Sequence, residues 1–64
     1  MNEIKIVSIG QTEAWCMKYI GPRQFYLHNK IGGTGWLIIR NGNGAILKVE
    51  DRNQYLMALL KFGK

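Results

Sequence analysis

Residues 36–49 read WLIIRNGNGAILKV: two apolar runs flank Asn41-Gly42-Asn43-Gly44. Asn-Gly between apolar runs is the strongest short-range sign of a β-hairpin, because a two-residue turn needs positive φ, which Gly and Asn adopt at little cost. The sequence therefore predicts strands over 36–40 and 45–49. Centring the turn on Asn41-Gly42 or on Gly42-Asn43 leaves the same two faces. Trp36, Ile38, Leu47 and Val49 share one side, and Leu37, Ile39, Ile46 and Lys48 share the other. Both sides are apolar, so this hairpin needs cover twice.

Downstream the chain turns helical. Asp51 suits an N-cap, and Gln54 three residues later completes a capping box. Tyr55, Leu56, Leu59 and Leu60 then recur at helical spacing, with Phe62 at the edge of the stripe and Asn53, Met57 and Lys61 away from it. Lys61 and Lys64 suit the negative end of the helix dipole, and Gly63 suits the position just past the end. A helix this short holds only by docking its stripe on the sheet.

Upstream, residues 3–9 are rich in β-branched types and predict a strand. Gly10-Gln11 fits a type II′ turn, which makes 13–20 the return strand. That register places Ile4 opposite Met17, Ile6 opposite Trp15 and Glu3 opposite Lys18. Gly21-Pro22 ends the hairpin. Residues 24–28 predict a further strand, with Phe25 and Leu27 on one side and Tyr26 and His28 on the other. Residues 29–35 predict a loop, since Gly32, Gly33 and Gly35 make regular structure costly.

The expected fold is α+β and occupies one compact domain over 1–64. It is a small antiparallel sheet or SH3-like partial barrel of about five strands, two β-hairpins plus a linking strand, with one C-terminal α-helix packed on it. One short helix covers one face of a sheet, so the second apolar face has three resolutions: barrel closure, a homodimer, or a partner. In element order and length the chain resembles the small archaeal chromatin proteins of about seven kilodaltons, which finish an SH3-like barrel with a helix. The resemblance rests on no shared motif and carries over no residue.

The 64 residues include nine Lys or Arg against four Asp or Glu, a formal charge of +5; 47% are hydrophobic and 20% charged. That composition excludes intrinsic disorder. A single cysteine, Cys16, makes no internal disulfide, and the start of the chain lacks the pattern of a signal peptide; both favour a reducing, cytoplasmic setting. The longest purely apolar run, Trp36-Leu37-Ile38-Ile39, falls far short of the roughly 20 residues that cross a bilayer, so no membrane role is expected.

No catalytic constellation emerges, and the protein is expected not to be an enzyme. His28 is the only histidine, Cys16 suits a buried structural thiol, and Glu3, Glu13, Glu50 and Asp51 offer no convincing acid–base pair. No cofactor and no metal are expected. The stretch Gly32-Gly33-Thr34-Gly35 lacks the Gly-Lys-Ser/Thr ending of a phosphate loop and leads into a strand where such a loop leads into a helix.

Two functions fit. The first is a non-catalytic intracellular protein that docks on a larger protein as an inhibitor or adaptor, as many phage and mobile-element proteins act on host proteins. The alternative is a basic nucleic-acid binder, consistent with a pI near 9.7, that contacts phosphates through Lys and Arg of the sheet and loops. Arg23, Tyr26, His28, Lys30, Arg40 and Lys48 are the candidate contact residues for either. The basic residues are scattered along the chain, so their convergence depends on the fold.

Overall fold

The computed structural model describes residues 2–63, and the expectation for Lys64 lies outside them. The order of elements is β1 (Glu3–Ile6), α1 (Ile9–Tyr19), β2 (Arg23–Leu27), β3 (Lys30–Gly33), β4 (Trp36–Asn41), β5 (Gly44–Val49) and α2 (Arg52–Phe62). The strands form one antiparallel sheet in the order β1-β5-β4-β3-β2. The α+β class, an antiparallel sheet of five strands and the C-terminal helix packed on it are as expected, but one expected strand is a helix and part of one expected loop is a strand. The sheet does not close into a barrel: β1 and β2 remain its two edges.

The Asn-Gly hairpin forms as predicted. Asn41 pairs with Gly44, so the turn is Gly42-Asn43. Gly42 has φ +61° and Asn43 is not positive, the pattern of a type II′ turn. Trp36 pairs with Val49 and Ile38 with Leu47, and all four are buried.

The glycine-rich stretch departs from expectation. Most of 29–35 is strand β3, bounded by the two-residue turns His28-Asn29 and Thr34-Gly35, with φ +84° at Gly35. Gly32 and Gly33 serve close approach. A Cβ at Gly32 would run into the Phe25 ring, and one at Gly33 would strike the Pro22 carbonyl and the Trp36 indole.

The larger correction concerns 13–20, which is helix and not a return strand. Ser8 caps α1: its hydroxyl accepts from the Gln11 N–H at 3.4 Å, and its carbonyl accepts from the Thr12 hydroxyl at 2.7 Å. Gly10 therefore lies in the first helical turn, not in a hairpin turn. Thr12 and Cys16 are buried and Ile9, Trp15 and Ile20 pack beside the core, a spacing of three and four residues. Gly21 then donates to the Cys16 carbonyl at 3.0 Å, and Pro22 prevents continuation. The expected Ile4–Met17, Ile6–Trp15 and Glu3–Lys18 pairs are absent. Instead β1 lies against β5, pairing Ile4 with Leu47, Ile6 with Ala45 and Glu3 with Lys48.

At the other end Asp51 caps α2, accepting from the Gln54 N–H at 2.9 Å as predicted. The docking stripe is the predicted one only in Tyr55 and Phe62. Ala58 is fully buried with Tyr55 and Phe62 packed beside the core, whereas Leu56, Leu59 and Leu60 are exposed, Leu60 to 87%. A small alanine at the contact lets the helix backbone approach the sheet closely, since interaxial distance follows the side chains at the crossing. The bulkier leucines turn outward.

Both helices lie on one face. α2 packs on β1 and β5, and α1 passes over β4 as it runs from the β1 edge to the β2 edge. Ile4, Ile6, Ile31, Trp36, Ile38, Ala45, Leu47 and Val49 from the sheet meet Cys16 and Ala58 from the helices to form the core. The Trp36 indole N–H, buried there, donates to the Gly21 carbonyl at 2.8 Å. With both helices on this side, the sheet is left with a second face that neither covers.

Candidate functional site

The residues of the bare face follow from the pairing register and the two-residue period of strands. One row across the sheet reads Glu3, Lys48, Leu37, Gly32, Phe25, and the next reads Lys5, Ile46, Ile39, Lys30, Leu27. Leu37, Ile39 and Ile46 are half-buried by their neighbours alone, and Phe25 and Leu27 are 40% and 56% exposed. Phe25 lies over Gly32 and next to Leu37, because a side chain at Gly32 would meet both. The apolar centre is therefore continuous from β2 to β5. Lys5, Lys30 and Lys48 stand around it, and the one acid of these rows, Glu3, lies 3.5 Å from Lys48.

The six predicted contact residues do not form one patch. Lys30 and Lys48 belong to the bare face. Arg23 and Tyr26 lie on the opposite side of β2, brought onto one face by the register shift between Arg23 and Phe25. There the Arg23 guanidinium sits 5.3 Å from the Tyr26 ring centroid and holds Glu13 at 2.7 Å. Arg40 is paired with the core residue Ala45, so it points toward the helix side at the end of the sheet. His28, Lys30 and Arg40 border one narrow seam with Ile9, too tight to admit a water molecule. The sequence thus identified two of the bare-face lysines. It did not single out Phe25, Leu27, Leu37, Ile39 and Ile46 as a binding centre. The signal was present in the apolar second side of the hairpin.

Cys16 is fully buried in α1, and its thiol is pushed up to about 12, first by burial and second by the nearby Glu13 carboxylate. Such a thiol is a poor nucleophile, since the thiolate is the reactive form. Among the described residues, no three His, Cys, Asp or Glu side chains gather as a metal site would require. No helix of the described residues is long and apolar enough to cross a membrane. Compared with known proteins, the chain matches no family model, no curated protein and no solved structure.

Proposed function

We propose that the protein is a non-catalytic binding module that docks on a larger protein through the bare face of its sheet. One observation carries this: both helices occupy the same side, which leaves Phe25, Leu27, Leu37, Ile39 and Ile46 contiguous and without cover. Contiguous exposed apolar surface with a polar rim is characteristic of interaction sites. The rim supports one kind of partner. Lys5, Lys30 and Lys48 favour an apolar surface edged by carboxylates, whereas two copies meeting face to face would set lysine rims against each other at a repulsive cost. Occupying such a surface is all that an inhibitor or adaptor of the partner has to do.

The test uses the full chain as bait in nuclease-treated lysate of its source cells, beside Ile39→Lys on the bare face and Leu60→Lys on the outer face of α2. Circular dichroism establishes that each variant is folded. A stoichiometric partner should be retained by the wild type and by Leu60→Lys, and lost by Ile39→Lys. A charge placed in the centre of an interface should weaken it by about 2 kcal/mol or more. Retention of the same partner by Ile39→Lys, or loss of every band on nuclease treatment, would overturn the proposal.

A further inference from the structure

On the helix side a second surface lies where α1 and α2 meet. The Trp15 and Phe62 rings touch edge to face with centroids 5.5 Å apart, and the Trp15 and Tyr19 rings lie 5.2 Å apart, tilted by 38°. These three rings line a groove of about 400 Å³ together with Gln11, Lys18 and Lys61. Trp15 and Phe62 are half-buried and Tyr19 is 49% exposed, so the groove presents aromatic surface to solvent. The Lys18 ammonium lies 5.3 Å from the Tyr19 centroid, and Lys61 stands in the last turn of α2. Among the described residues, none that lines the groove is acidic. Glu13, the one carboxylate of α1, is held by Arg23 at 2.7 Å.

Aromatic rings beside two cations with no acid among them complement a ligand that is planar and anionic. Single-stranded nucleic acid has both properties: its bases stack on aromatic side chains while its phosphates meet lysine. A duplex keeps its base faces stacked on one another and offers these rings none. We infer that the groove between α1 and α2 binds single-stranded nucleic acid, stacking bases on Tyr19 and Trp15 and neutralising adjacent phosphates with Lys18 and Lys61. This surface is opposite the bare sheet face and does not depend on what docks there.

Intrinsic fluorescence suits the test. Trp36 is 3% exposed with its indole N–H bonded internally, so a change on titration reports Trp15. Oligo-dT of about 12 nucleotides, within the usual range of single-strand site sizes, should quench the emission of the full chain at low salt. With two phosphates neutralised, log affinity should fall against log salt with a slope of about −1.4. A duplex of equal length should bind at least tenfold more weakly. Tyr19→Ala should cost roughly tenfold in affinity, in line with the loss of a stacking platform. Lys61→Gln should flatten the salt slope by about 0.7. Both positions are exposed, and thermal melts show whether either variant is folded. Absence of quenching with oligo-dT and with oligo-U would overturn the inference. So would binding that survives Tyr19→Ala and Lys61→Gln but is lost on Lys30→Gln, or quenching by phosphatidylserine vesicles and not by oligonucleotide, which would mark the groove as membrane-seeking.

Discussion

The Cys16 thiol makes no hydrogen bond among the described residues, and its environment makes a measurable demand. Its thiol titrates near 9.0 in an ordinary setting and near 12 here, chiefly because burial penalises the thiolate. Below pH 9 the folded and unfolded chains both hold the proton, so this group adds no pH dependence. Between those two values the unfolded chain releases the proton and the folded chain keeps it, and stability falls as pH rises. Urea midpoints at pH 8 and pH 10 for wild type and Cys16→Ala should show a steeper loss in the wild type; lysine and tyrosine titrations are common to both proteins and cancel. Parallel loss in the two would mean that Cys16 is not buried. In the same state the thiol should be inert to an aromatic disulfide reagent until the chain unfolds.

The two helices differ in how their sequences announce them. The Asp51 cap legible in the sequence opens α2 in the fold, whereas the Gln54 side chain makes no return bond among the described residues. Ser8 and Gln11 carry a comparable Ser-x-x-Gln signature for α1, and Gly21-Pro22 a matching stop, yet Gly10-Gln11 also fits a hairpin turn and β-branched residues precede it. A Gly in the first turn weakens a helix signal without breaking the helix, so local pattern alone leaves two answers. Long-range pairing decided between them: β1 finds its partner in β5, about 40 residues downstream. On α2 the helix was legible but its rotation only in part: Tyr55 and Phe62 pack as expected, whereas hydrophobic spacing favours leucines and the contact between them instead uses Ala58. Ala58→Leu should therefore destabilise the protein by about 1–3 kcal/mol through overpacking. Leu60→Gln, on the outer side of the same helix, should stay within about 0.5 kcal/mol. Chemical denaturation of the pair measures the rotation of the helix directly: the reverse order of effects would put Leu60 in the core. The bare face was half legible for a similar reason. Its β4 and β5 residues follow from one hairpin, whereas Phe25 and Leu27 join them only through β3, a strand hidden behind three glycines.

At the scale of the whole molecule the covered face supplies the core, and the bare face is the one proposed for recognition. The core is built from one face of every strand but β2, while the surfaces proposed for a protein partner and for nucleic acid lie on opposite sides of it. The arrangement has a further consequence in α1, which links the first strand at one edge of the sheet to the second strand at the other. From β2 to β5 each strand meets the next across a two-residue turn, so those pairings close short loops. β1 meets β5 only across about 40 intervening residues, from Ile6 paired with Ala45 to Glu3 paired with Lys48, and loop closure of that kind is slow and comes late. The route to the native state should therefore begin in the meander, with the first strand arriving last. Ile4→Val and Ile38→Val each remove one buried methylene, at a cost of about 0.5–1.5 kcal/mol. Stopped-flow chevrons should show the loss in Ile38→Val as slower folding and the loss in Ile4→Val as faster unfolding. Equal slowing of folding by both would mean that the sheet assembles in a single step. If β1 does arrive last, it is also the first to leave, and brief departures of this strand would expose the β5 edge to solvent well before the rest of the protein unravels.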